Sequence, residues 1–248
     1  MTAQPRTGMV LAAGLATRMR PLTDHTAKPL LTLEGVTLLD HALDRLAVAG
    51  VRTAAVNGHW HAGKVAATLR ARATPPATVF LHEDTLLDTG GGVRNALPVL
   101  GDGPFYVING DAFWLDGPTP ALIRLAQAFT EEVDAVLLLH RTAQISGDVG
   151  NGDFFLSPWG VPTRRRERQI APYMYAGAQL MRACLLDGTP AVGPFSMNLA
   201  WNRALAAGRL RAIVHDGPWF HLSTPADLVD AEARLLDRFS VDARGPWL

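Results

Sequence analysis

Met9-Val-Leu-Ala-Ala-Gly-Leu-Ala-Thr-Arg-Met-Arg-Pro-Leu-Thr23, running on to Ala27-Lys-Pro-Leu30, decides how the rest of the chain is read. The apolar run from Met9 to Ala13 stops at a glycine and small residues, the pattern of a buried strand meeting a turn. Small residues at Ala13, Gly14 and Ala16 leave the backbone bare. A ligand can lie against it, and its N–H groups can hold phosphate oxygens. Arg18 and Lys28 bring positive charge to the same mouth. This is the chemistry of a nucleoside triphosphate site. Neither Gly-x-x-x-x-Gly-Lys-Ser/Thr nor Gly-x-Gly-x-x-Gly follows this strand, so the familiar phosphate and dinucleotide loops are excluded here.

Outward from that strand, helices and strands alternate. Thr37 to Gly50 reads as a helix: Thr37 caps it, Asp40 sits three residues on, Leu39, Leu43 and Leu46 form the apolar stripe, and Gly50 stops it. Val51–Asn57 is a strand, His61–Ala73 a helix, and Thr78–His82 and Phe105–Asn109 are strands. Thr119-Pro120 caps and opens a helix reaching about Phe129. Asp134–His140 is a strand buried on both faces. This order predicts an α/β fold with a mostly parallel, doubly wound sheet and helices on both faces. Beyond His140, Gly147 to Phe155 reads as a hairpin or irregular strand. Arg164-Arg-Arg-Glu-Arg168 reads as a solvated turn, although neighbouring arginines can also grip a phosphate. Tyr173–Gln179 is a strand, Phe195–Ala207 a helix and Leu210–His215 a strand. Thr224-Pro225 begins a last helix that docks through Leu228, Ala231 and Leu235.

Two further stretches carry chemistry. Glu83-Asp-Thr-Leu-Leu-Asp-Thr-Gly-Gly-Gly92 follows a strand, and three glycines before a helix cost backbone entropy. Close approach of a flat base or ribose accounts for them, and a structural turn is the alternative. Tyr106-Val-Ile-Asn-Gly-Asp111 is a buried strand that delivers a carboxylate at its C-terminal end, where ligands bind in open α/β sheets.

The chain has 248 residues, 48% hydrophobic and 19% charged, with 23 basic and 23 acidic side chains. That length accommodates a single domain over 1–248 with a sizeable core. The even charge balance gives no electrostatic case for nucleic acid or a membrane surface as partner. No apolar run approaches the roughly 20 residues that span a bilayer. Residues 1–8 lack the apolar core of a secretory signal. The single cysteine, Cys184, excludes an internal disulfide, is expected to be buried or partly buried, and suits a cytoplasmic compartment.

Leu11-Ala-Ala-Gly14, Thr17-Arg-Met-Arg-Pro-Leu-Thr23 and Lys28-Pro-Leu30 together resemble the N-terminal signature of sugar-1-phosphate nucleotidyltransferases. The resemblance implies the fold of that family, Rossmann-like and akin to GT-A enzymes. It also implies transfer of a nucleotide from an NTP to a sugar 1-phosphate, with Mg²⁺ as cofactor. The nucleotide-binding half would cover about 9–140 and the sugar-binding half about 141–248. Arg18, Lys28 and Asp111 would be catalytic, with Asp111 on the metal. Leu11, Ala12, Ala13, Gly14, Glu83, Asp88, Thr89, Gly90 and Asn109 would contact the nucleotide. Asn151, Asp153, Tyr175, Gly177 and Asn198 would line the sugar pocket. Glu83 falls where many members carry a glutamine. Its carboxylate accepts from uracil or thymine N3–H and equally from guanine donors, which leaves the base open. His221 stands where the family supplies a second metal carboxylate. Imidazole is a poor Mg²⁺ ligand, so His221 donates to a phosphate, meets the metal through water, or packs. The Leu87-to-Gly92, Val107-to-Asp111 and Asn151-to-Phe154 stretches are similar to the branch that joins UTP to N-acetylmuramate 1-phosphate in cell-wall recycling. Guanylyl- and thymidylyltransferases, and a non-catalytic nucleotide-sugar-binding regulator, are the alternatives. The expected assembly is a monomer or small homo-oligomer.

Overall fold

The computed structural model describes residues 4–145 and 150–242. In chain order come β1 (Thr7–Leu11), a hairpin of β2 (Thr32–Leu33) and β3 (Val36–Thr37), α1 (Leu38–Val48), β4 (Thr53–Gly58) and α2 (Ala62–Ala71). Next are β5 (Ala77–His82), α3 (Asp88–Leu100), β6 (Phe105–Asn109), β7 (Phe113–Trp114), α4 (Ala121–Ala128) and β8 (Ala135–Arg141). The chain continues through β9 (Phe154–Leu156), β10 (Pro162–Arg164), β11 (Tyr173–Met181), α5 (Met197–Ala206), β12 (Leu210–Val214), β13 (Trp219–Phe220) and α6 (Pro225–Asp242).

Strand β1 lies between β6 and β4, with β5 beyond β4, and all four run parallel. A central strand is covered on both faces, which is why Met9 and Val10 are both fully buried. Their side chains point to opposite faces, as the period of two demands. Val10, Tyr106 and Ile108 join the core under α1, α2 and α4, whereas Met9, Phe105 and Val107 join the core under α3 and α5. Leu39, Leu43 and Leu46 of α1 are each fully buried, worth roughly 1.5–3 kcal/mol apiece relative to exposure. A third cluster holds α6 by Ala231 and Leu235 against Leu33, Phe113 and Phe220.

The parallel reading holds for that half of the sheet and for β8 with β12. Strand β11 adds an antiparallel element: it pairs with β6 on one side and β8 on the other. A β-bulge interrupts its register between Tyr175 and Gln179. Gly177 sits inside that bulge with φ +84, a conformation that favours glycine.

Helix α1 starts as expected, Thr37 Oγ1 accepting from the Asp40 N–H at 3.0 Å. Helix α4 does not: Pro120 is its cap residue and gives no side-chain bond. Asp116 Oδ1 instead accepts from the Ala121 N–H, so the capping oxygen comes from outside the Thr119-Pro120 pair. Cys184 is exposed rather than buried, its thiol 3.4 Å from Asp134 Oδ1. Of the stretch from Gly147 to Phe155, expected as a hairpin or irregular strand, only Phe154 and Phe155 enter a described strand, the start of β9, whose hairpin partner β10 lies beyond that stretch. Residues 146–149 lie outside the described residues. No described helix is long and apolar enough to cross a membrane.

Candidate active site

The C-terminal ends of β1, β4, β5 and β6 open onto one cavity of about 550 Å³. Leu11, Ala13, Gly14, Arg18, Lys28, Asn57, Glu83, Asp88, Thr89, Asn109 and Asp111 all line it. Most of the residues singled out in the sequence therefore meet in one place. A Cβ on Gly14 would meet no protein atom within 4 Å. Nothing in the protein requires that glycine, and the bare backbone faces room that a ligand can use.

Gly110 is different. A Cβ there would lie 2.7 Å from the Leu11 carbonyl oxygen, which also accepts the Gly110 N–H at 2.8 Å. The missing side chain lets the end of β6 close onto the end of β1, and Pro29 packs against the same point. That closure brings Lys28 to Asp111, Nζ donating to Oδ2 at 2.7 Å. The Lys28 side chain is 10% exposed and that of Asp111 44%. The loop bearing Arg18 is tied at its base, where Thr23 Oγ1 donates to the Ala16 carbonyl and Trp60 Nε1 to that of Thr23.

The opposite wall is built around a buried carboxylate. Glu83 is 3% exposed; its Oε1 accepts from Asn57 Nδ2 at 2.7 Å and its Oε2 from the Leu87 N–H at 3.1 Å. Asn57 Oδ1 in turn accepts the Ala12 N–H at 2.8 Å. Ala12 is thereby buried outside the cavity wall, with its donor already engaged. Asn57 was not singled out in the sequence, although a polar residue at the end of an apolar strand was the available signal.

Packing accounts for the three glycines at the start of α3. A Cβ on Gly90 would come 2.3 Å from Phe195 Cε2, one on Gly91 2.6 Å from the Gly193 oxygen, and one on Gly92 2.9 Å from Asn57 Nδ2. The N–H groups of Gly90 and Gly91 both donate to the Phe195 carbonyl, and Gly90 lies outside the cavity lining. Asp88 and Thr89 reach the cavity themselves, and Thr89 Oγ1 accepts from the Met197 N–H at 2.9 Å.

A second cavity of about 270 Å³ adjoins the first and shares Leu11, Asp88, Thr89 and Asn109 with it. Asp153, Tyr175 and Asn198 line it, as do Arg164, Gln179 and Trp201, which the sequence did not mark as site residues. Asp153 Oδ2 accepts the Tyr175 N–H at 2.8 Å, and Trp201 Nε1 donates to Gln179 Oε1 at 2.8 Å. Asn151 and Gly177 stay outside this lining. Asn151 is exposed and holds Ala171 through its carbonyl, while a Cβ on Gly177 would strike Ala112 behind Asp111. Arg164 is not the solvated turn that its arginine-rich neighbourhood implied. It ends β10 half-buried, its Cζ 4.5 Å from the Phe154 ring centroid.

His221 stands outside the first cavity's lining, which Ser223 joins instead. It is half-buried, and burial lowers its pKa; Asp227 and Asp111 oppose the shift, and Lys28 and Arg18 add to it. Among the described residues no three His, Cys, Asp or Glu side chains converge as a metal cage. Asp111 alone, partly exposed and beside Lys28, suits a cation that takes one or two carboxylates and fills its shell with phosphate oxygens and water. Mg²⁺ is such a cation.

Two adjoining cavities at the carboxyl edge of a parallel sheet, the larger with bare backbone, two cations and the carboxylates of Glu83, Asp88 and Asp111, suit a nucleotide-dependent transferase. The MobA-like NTP transferase domain matches residues 8–217. The N-acetylmuramate alpha-1-phosphate uridylyltransferase of Caulobacter vibrioides is 40% identical over 96% of this chain and 100% of its own. That of Neisseria meningitidis serogroup B is 30% identical over 91% and 96%. The chain belongs to the sugar-1-phosphate nucleotidyltransferases. Its fold matches a UDP-glucose pyrophosphorylase solved with UDP-glucose at a TM-score of 0.79, 13% identity, 96% of this chain and all of that one. It also matches the inositol-1-phosphate CTP transferase of T. maritima at 0.76, 17% identity and coverage of 94% and 97%.

Proposed function

We propose that this enzyme joins UTP to N-acetylmuramate 1-phosphate, giving the UDP-sugar and pyrophosphate as a step in recycling a cell-wall sugar. The observation that carries the reading is the pair of adjoining cavities, the larger lined by Arg18 and Lys28 and the smaller by amides, aromatic rings, Asp153 and Arg164. A phosphate oxygen of the sugar 1-phosphate attacks the α-phosphorus, a P–O bond forms, and the α–β bridging P–O bond breaks in line as pyrophosphate departs. The nucleophile is already an anion, so no side chain has to remove a proton. The work left to the protein is alignment and charge stabilisation.

Backbone N–H groups at Ala13 and Gly14 hold phosphate oxygens. Arg18 neutralises the departing pyrophosphate, and Lys28 sits between the two phosphates. Asp111 holds Mg²⁺, which supplies further positive charge to the phosphates. Glu83 keeps two roles: it pins Asn57 and the turn at Leu87, and its remaining lone pairs suit a pyrimidine N3–H. Asp88 and Thr89, shared by both cavities, border the nucleotide and the sugar.

Pyrophosphate release across a grid of nucleoside triphosphates and sugar 1-phosphates with Mg²⁺ tests the reading. The expected result is kcat/KM for UTP above that for GTP or ATP by about 10²-fold or more, since a wrong base leaves buried polar groups unpaired. Preference for a purine triphosphate would overturn the uridylyl assignment.

A further inference from the structure

The smaller cavity holds a cation that the phosphate chemistry does not use. Arg164 enters it from the end of β10, and its guanidinium is fixed in place by two amides. Nη2 donates to Asn198 Oδ1 at 2.5 Å and Nε to Asn202 Oδ1 at 3.1 Å. Two aromatic rings lie beneath it, with Cζ 4.5 Å from the centroid of Phe154 and 5.6 Å from that of Trp201. Both hydrogen-bond partners are neutral, and among the described residues no carboxylate forms a close ion pair with Arg164; Asp153 favours its charge only from a distance. Asp153 lines the same cavity, but its Oδ2 is engaged by the Tyr175 N–H. Nη1 and one N–H of Nη2 are left as donors.

A neutral sugar does not need this arrangement. Hydroxyl and acetamido groups are satisfied by the amides, hydroxyls and carboxylates already in the wall. A half-buried guanidinium held rigid by neutral partners is suited to a planar anion, which it can grip through two parallel N–H donors. The reacting phosphates belong at Arg18, Lys28 and Asp111, all of which line the other cavity and not this one.

We propose that Arg164 is the specificity-determining residue that takes the carboxylate of the acceptor's lactyl ether, and so separates N-acetylmuramate 1-phosphate from sugar 1-phosphates that lack a carboxylate. This rests on the sugar-1-phosphate reading of the site and narrows it.

The test compares N-acetylmuramate 1-phosphate, its lactyl methyl ester and N-acetylglucosamine 1-phosphate, all with UTP and Mg²⁺. In the wild type, the free acid should exceed the ester and the glucosamine analogue in kcat/KM, mostly through KM. Arg164→Gln should collapse the acid-to-ester ratio by about 10²-fold, and Arg164→Lys, which keeps charge but not the fork, should fall between. A purely structural Arg164 would lower all three substrates together and leave the ratio intact, which overturns the proposal, as does a wild type that treats acid and ester alike. Turnover of the neutral sugars with no preference for the acid sinks only this assignment. No pyrophosphate release with any sugar 1-phosphate would sink the reading beneath it as well.

Discussion

Lys28 and Asp111 form the tightest charged contact in the larger cavity, and each depends on the other. Lys28 is nearly enclosed, so its ammonium needs a partner, and Asp111 provides one at 2.7 Å. A triphosphate entering beside them offers Lys28 a second anion, while Asp111 remains a hard oxygen donor for a cation. Lys28→Ala is therefore expected to lower kcat/KM by roughly 10²-fold or more, about the loss of one preorganised charge. Asp111→Asn should lower it comparably and raise the Mg²⁺ concentration needed for half-maximal rate. His221→Ala should cost little, because His221 stands outside the lining. Steady-state kinetics with a Mg²⁺ and Mn²⁺ titration decides this: collapse of His221→Ala together with a preference for Mn²⁺ would place the imidazole on the metal. Arg18, Lys28, Glu83, Asp88, Thr89 and Asp111 were legible because each follows the end of a parallel strand or belongs to a short local motif. Arg164, Gln179 and Trp201 were not. They come from β10, β11 and α5, and only tertiary pairing carries them to one wall.

Helix α3 shows how an element can be legible in place and misread in purpose. Its position after β5 was visible, and its glycines looked like room for a base. The room is occupied by Phe195 and the Gly193 carbonyl. This matters for the smaller cavity, because the same segment leads through Ser196 into α5, whose cap accepts the Asn198 N–H. Gly90→Ala is accordingly expected to lower the melting temperature, although alanine is the better helix former by up to about 1 kcal/mol. The Cβ would have to displace Phe195 backbone and ring, and overpacking of this kind costs typically 1–3 kcal/mol. KM for the sugar phosphate should rise with it as Asn198 shifts. A raised melting temperature for Gly90→Ala would show that the segment yields freely. The direction of β11 was hidden for a related reason: a run buried on both faces looks the same parallel or antiparallel, and only its partners β6 and β8 fix it. The Asp116 cap on α4 lies five residues before the N–H that it serves, outside the interval where a local capping rule looks.

Across the molecule, the two halves of the chain share one sheet, since β11 from the second half lies directly against β6 from the first. Stability at the far side of that sheet depends on two histidines kept neutral. His140, near the end of β8, lies 5.9 Å from the His215 ring and is stacked on Trp219 at 6.0 Å. Both rings are almost fully buried, and among the described residues the Nδ1 of His140 has no hydrogen-bond partner. Burial first, and then the neighbouring His215 and Arg141, push the pKa of His140 down to about 4 from 6.5. Burial also lowers that of His215, against the raising influence of Asp116 and Asp216 and of the carbonyls of Leu115 and Pro218. Groups whose folded pKa is depressed stabilise the fold above the unfolded pKa. Below about 6.5 the unfolded chain takes up protons that the folded chain refuses, so stability should fall as the pH drops from 6.5 towards 4. For His140 alone the loss is at most about 3 kcal/mol. At lower pH a carboxylate continues the trend, because the Arg209 hydrogen bonds hold Asp134 below its ordinary range. Thermal unfolding followed between pH 7.5 and 4.5 should show this decline, and His140→Gln should flatten it even if the substitution lowers the melting temperature throughout. A wild-type melting temperature that is level across that window would mean that the buried imidazoles gain a proton in the folded chain as readily as in the unfolded one, and the account of this edge of the sheet would fail.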